Sequence, residues 1–107
     1  MKTSLNENEN LIKEGAANLQ RGLETVGGKL YVTNHRLLFE PHAINIQSEN
    51  MEINIVDIKS TEKSWTKFLN IIPIFPNSLL IHTKDGQSKN FVLFGREQWK
   101  HKIDELI

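Results

Sequence analysis

Apolar side chains along this chain come in short runs with a period of two. Residues 29–33 and 36–40 are two such runs, rich in β-branched, aromatic and leucine side chains, and only Asn34 and His35 separate them. That composition suits a pleated, half-buried surface, and the spacing predicts a hairpin with Asn34 at a positive φ. Upstream, residues 13–22 alternate small and polar side chains around Ala17 and Leu19 and read as a first strand. Gly27-Gly28 reads as a break before the hairpin, and Pro41 as the end or bend of its second strand. Residues 43–46 extend that strand beyond the bend, and 47–50 form a loop. Residues 51–58 alternate again, with Met51, Ile53 and Ile55 on one face, and predict a strand. Asp85-Gly86 is the strongest turn signal, a two-residue type I′ connection between strands at 78–83 and 88–94.

Two segments break this grammar. Residues 68–76, FLNIIPIFP, are strongly apolar but hold two prolines, which excludes an ordinary central strand or a helix and predicts an apolar loop. From Arg96 onward the period changes: Trp99, Ile103 and Leu106 stand at i, i+4 and i+7, one face of a helix over 96–107. About seven strands followed by one amphipathic helix predict a mainly β fold. It is a seven-stranded antiparallel sandwich or partly open barrel, capped by the C-terminal helix with Trp99 as its stopper.

Residues 1–12, polar and rich in Asn and Glu, read as a flexible N-terminal segment, and 13–107 as the single domain that 107 residues allow. The N-terminus has no apolar stretch of signal-peptide type, and no run reaches the ~18 apolar residues of a membrane-spanning helix. With no cysteine the chain has neither disulfides nor thiolate metal ligands, which fits a reducing, cytoplasmic setting.

Thirteen basic and thirteen acidic side chains cancel, which counts against a nucleic-acid partner. The cancellation hides a polarity: residues 1–57 carry a net −3 and residues 58–107 a net +3.

Catalytic chemistry needs a nucleophile, a base and a group that orients the base. None of His35, His42, His82 or His101 lies in such a pattern, so no enzyme activity is expected. A metal site built from His42 and His82 with a carboxylate has no spacing signal, and no cofactor is expected. Arg36 and Arg21 have the bidentate chemistry that binds anions, although Arg36 paired internally with Asp57 accounts for it as well.

The candidate binding residues are Lys59, Lys63, Trp65, Lys67, Phe68, Ile71, Ile72 and Phe75. Lys59, Lys63, Trp65 and Lys67 share one side of an extended segment by period two. In one reading the lysines meet anionic headgroups while Trp65, Phe68, Ile71, Ile72 or Phe75 enter the interface. In the other, Trp65 covers the sheet, the lysines form a solvated face, and the loop folds back as core.

Four stretches together resemble the GRAM domain, a member of the pleckstrin-homology-like (PH-like) superfamily, in its bacterial form. They are GGKLYVTNHRLLFEPH at 27–42, EINIVDI at 52–58, NSLLIHTKDG at 77–86 and KNFVLFGREQWKHKI at 89–103. Thr33, Arg36, Leu37 and Phe39 fill the family's strand-turn-strand pattern. Ile53, Ile55, Asp57 and Ile58 fill its apolar-x-apolar-x-Asp-Ile element, and Gly86, Phe91 and Trp99 the closing turn, strand and helix. Asn54 stands where the family often has proline. The resemblance implies a binding or tethering module, without catalysis, that engages a protein partner or a membrane surface. The alternatives are a carrier of a small apolar ligand inside the barrel and a module that self-associates through a free strand edge.

Overall fold

A computed structural model of the chain describes residues 1–21, 24–42, 49–68 and 72–107; for 66–68 and 72–76 it describes the backbone pairing alone. Among the described residues, seven strands and one helix follow in order: β1 (Leu11–Arg21), β2 (Glu24–Thr33), β3 (Arg36–Pro41), β4 (Met51–Asn54), a 3₁₀ turn at Ile55–Asp57, β5 (Ile58–Phe68), β6 (Ile72–Thr83), β7 (Ser88–Leu93) and α1 (Arg96–Leu106). Every pairing is antiparallel, in one sheet of order β4-β3-β2-β1-β7-β6-β5. The two edge strands, β4 and β5, are consecutive in the chain yet unpaired, and the 3₁₀ turn carries the backbone between them. The sheet is therefore open rather than a closed barrel, within the expected fold class.

One face of the sheet holds the core. Leu19, Leu30, Leu37, Phe39, Leu79 and Phe91 are buried there, and α1 adds Trp99 and Ile103 from above. The Trp99 ring reaches β1: a Cβ added at Gly15 would lie 3.3 Å from it. Gly28 continues β2 instead of breaking it. A Cβ at Gly28 would sit 2.5 Å from the Glu40 carbonyl oxygen and 2.6 Å from the Phe39 ring, so only glycine lets Phe39 lie flat over β2. Phe39 in turn meets Phe91 with ring centroids 5.8 Å apart.

Several sequence expectations change for physical reasons. Residues 51–58 are not one strand: after Asn54 the backbone tightens, Ile55 stays in the core, and Val56 is left 73% exposed. Among the described non-glycine residues positive φ occurs at Asn8 alone, so Asn34 is not left-handed. The Thr33 hydroxyl shapes that turn instead, accepting bonds from the His35 and Arg36 amides at 3.0 and 2.9 Å. The Asp85-Gly86 connection is likewise not type I′, because Gly86 alone is left-handed (φ 87°). It follows a tight turn closed by the Gly86 amide on the Thr83 carbonyl, in which Asp85 keeps an ordinary φ.

The largest change concerns residues 68–76. Phe68 and residues 72–76 are strand rather than loop: β5 continues to Phe68 and β6 starts at Ile72, pairing Phe68 with Ile72 and Lys67 with Pro73, while 69–71 lie outside the described residues. The prolines fit because β7 pairs with β6 only from Ser78 onward. Upstream of Ser78, β6 is paired on one side, where half its amides need no ladder partner. Register shifts around Thr66 absorb the irregularity. The result is a two-stranded ribbon that runs on past the end of β7. The extension over 43–46 and the loop at 47–48 lie outside the described residues.

Candidate functional site

The predicted binding residues are only partly brought together. Lys59 does not follow the alternation of Lys63 and Trp65, because it is the extra residue of a bulge: Ile58 pairs with Thr83 and Ser60 with His82. The face of a strand flips across such a bulge. Ile58 is therefore buried, and so is Thr61 three residues on. Thr61 faces α1. Its hydroxyl donates to Asp104 at 2.6 Å and accepts from Lys100, whose ammonium also bonds the Thr61 carbonyl at 3.1 Å. Lys63, two residues further, pairs with Glu97 of the same helix. Arg96 completes the clasp on the Ser64 carbonyl at 2.7 Å. Trp65 comes next and is 48% exposed at the root of the ribbon. Lys67, Phe68, Ile72 and Phe75 lie on the ribbon, with their side chains outside the described residues, as is the whole of Ile71.

A second cluster escaped the sequence reading. Arg36 is buried and pairs not with Asp57 but with Glu9 and Glu52. Its Nε and Nη2 donate to the two Glu9 carboxylate oxygens at 2.8 and 3.0 Å, a bidentate fork. The Thr33 hydroxyl donates to the same carboxylate at 2.6 Å, and the Asn6 amide at 2.8 Å. Burial alone raises a carboxyl pKa, yet these donors outweigh it and hold Glu9 down at about 2. In return the Glu9 carboxylate that accepts from Arg36, with Glu52 beside it, outweighs burial and leaves the guanidinium more firmly protonated than usual. Nearby, Glu40 accepts from the Lys2 and Thr3 amides at 3.0 and 2.9 Å and from the Thr3 hydroxyl at 2.7 Å. These bonds overcome burial and lower its pKa.

Residues 2–9, part of the 1–12 segment expected to be flexible, are thus laid across the face of β2 and β3 that looks away from the core. Periodicity cannot find such an arrangement, because the segment is neither strand nor helix. The available signal was the pair of charges, Arg36 and Glu40, that bracket the apolar Leu37–Phe39 of β3.

The third cluster is Ser88, His82 and Glu62, on neighbouring strands. His82 Nδ1 lies 2.7 Å from the Ser88 hydroxyl and Nε2 lies 2.9 Å from Glu62. The order of groups is that of a hydrolytic relay, but the surroundings do not support one. Ser88 is paired across the ladder with His82. The Gly86 amide is spent on Thr83 and the Gln87 amide on Asp85. No oxyanion site is built from those groups. Among the described residues no three His, Asp or Glu side chains gather as a metal site. His42 stands instead by a cleft of about 210 Å³ beside Ala16, Asn18 and the 95% exposed Phe94.

An open seven-stranded antiparallel sheet with one helix closing its core face is the architecture of the PH-like class, and solved structures of that class superpose on the chain. The Vps36 N-terminal PH domain matches with a TM-score of 0.71 at 17% identity, over 96% of this chain and 82% of that one. The linker-DH/PH domains of p115-RhoGEF match with a TM-score of 0.69 at 13% identity, over 92% of this chain and 29% of that one. The C-terminal domain of an unknown protein from Leishmania infantum matches with a TM-score of 0.76 at 19% identity, over 94% and 85%. The chain belongs to the GRAM domain family, whose model matches residues 1–107. No curated protein sequence matches it. GRAM and PH-like domains are in general binding modules without catalysis. Among the described residues no helix is long and apolar enough to cross a membrane.

Proposed function

We propose that the chain is a non-enzymatic PH-like binding module that engages a protein partner or a membrane surface through the β5–β6 ribbon. On this reading it works in the bacterial cytoplasm, attached peripherally to a membrane where lipid is the target. The observation that carries the proposal is Trp65, left 48% exposed where the ribbon leaves the sheet. A half-exposed Trp beside cationic side chains is the composition that partitions into a membrane interface or a protein contact. Lys63 is exposed two residues before Trp65 and shares its charge with Glu97, Lys59 is exposed at the far start of β5, and each lysine near an anionic leaflet contributes about 1 kcal/mol. The net +3 of residues 58–107 orients this half toward a negative surface.

Co-sedimentation with anionic vesicles tests the membrane branch. Binding that weakens with salt and falls in Trp65→Ala and Phe75→Ala is expected. Binding that ignores both substitutions removes the ribbon as the contact, and no binding at all leaves a protein surface as the target. The carrier reading has less behind it, because Phe39, Phe91 and Trp99 occupy the core where a ligand would lie.

A further inference from the structure

The face of β2 and β3 turned away from the core is built as a groove and filled by the chain itself. Tyr31 and Leu38 are cross-strand partners on that face and do not join the core cluster, yet they are 3% and 1% exposed. The bonds to Glu40, Arg36 and Thr33 place residues 2–9 over them. The groove has a fixed chemistry. At one end Glu40 accepts two consecutive backbone amides. At the other, Arg36 and Thr33 grip one carboxylate, and Arg36 also donates to the Ser4 carbonyl at 2.9 Å. Two backbone amides, a carbonyl and a carboxylate at fixed spacing are a description of a peptide.

We infer that this groove is a docking site for an acidic peptide segment of a partner protein, and that residues 2–9 fill it in cis as a displaceable stand-in. Charge complementarity names the occupant: a buried guanidinium with a bidentate fork selects a carboxylate. The stand-in is anchored by side-chain and turn contacts rather than by a ladder, since β1 begins only at Leu11 and its register slips between Leu11 and Lys13. Glu52, 3.2 Å from Arg36, still partners the guanidinium when Glu9 leaves. The groove lies on β2–β3 and is separate from the β5–β6 ribbon, so it extends the proposed function without resting on it.

The test uses the full chain and a fluorescent decapeptide with the sequence of residues 1–10. A cis occupant lowers apparent affinity by the fraction of time the groove is free. The Glu9→Gln chain should therefore bind the peptide about tenfold or more tighter than the unaltered chain. Replacing the ninth residue of the peptide by Gln should abolish that gain, and replacing its seventh should not. Trp65→Ala should leave the binding intact, which separates this groove from the ribbon. A second readout covers the case in which Glu9→Gln does not fold: excess peptide added to the unaltered chain should speed hydrogen exchange at the Lys2 and Thr3 amides. No binding and no change in exchange would mean a permanent clasp and would overturn the inference. Equal binding of the Gln peptide would overturn the carboxylate site. A concentration-dependent dimer that exchanges residues 1–10 would make a second copy the occupant and overturn the partner.

Discussion

The two edges of the sheet both carry ion pairs, and they use them in opposite ways. Toward β4, Arg36 and Glu40 are buried under the chain's own first ten residues together with Glu9 of that segment, and every one is held by several donors or acceptors. Toward β5, the Lys63–Glu97 pair is largely exposed, and Lys100–Asp104 is in part. Water screens the second group and not the first, so the same chemistry has different consequences. Removing one partner at the β4 end strands a charge in a dry site; removing one at the β5 end leaves a solvated side chain. One end of the sheet is finished by the chain itself, while the other keeps Trp65 half-exposed.

That contrast can be broken by mutation. Arg36→Met leaves the Glu9 carboxylate buried without its main partner, and unfolding in urea should show a loss of about 3–5 kcal/mol. Acid should act on the same end. Glu9 titrates at about 2 in the folded chain against 4.5 when unfolded, so its contribution is complete above about pH 4.5 and disappears as pH falls toward 2. The denaturation midpoint should drop through that window, by much less in Glu9→Gln than in the unaltered chain; equal slopes would count against the buried pair. Gly28→Ala, which drives a methyl into the Phe39 ring and the Glu40 carbonyl, should cost about 1–3 kcal/mol. At the β5 end Thr61→Val removes one hydroxyl from the helix clasp and should cost about 1 kcal/mol. Lys63→Met should lie within about 0–1 kcal/mol of the unaltered chain, less at high salt. A large loss there would erase the distinction between the two edges.

The same contrast explains what the sequence could reveal. Alternation located the hairpin of β2 and β3, the first strand and the helix with Trp99, because one buried face imposes a period. It failed where a backbone event resets the period. The bulge at Lys59 turned a lysine row into one bulged residue and a helix-paired one. The 3₁₀ turn at Ile55 ended a strand that looked continuous. Gly28 looked like punctuation because the ring that needs it, Phe39, is eleven residues away. The prolines of β6 argued for a loop because one sequence does not say where β7 stops. The Arg36 site was half legible: the buried pairing was expected, its partners were not. Glu9 lies in a polar segment with no periodic signal, and only tertiary structure brings it to Arg36.

β7 has a consequence for how the domain is made. It zips β1 to β6, pairing Ala17 with Leu93 across most of the chain. During synthesis β1 to β4 can form their meander early, but β1 must then wait with one flank unpaired until residue 93 has emerged. Such late, long-range closure is the hallmark of slow folding. A nascent chain stopped short of β7 would therefore hold two separate pieces, the β1–β4 meander and the β5–β6 pair, each with an open edge until that one strand joins them.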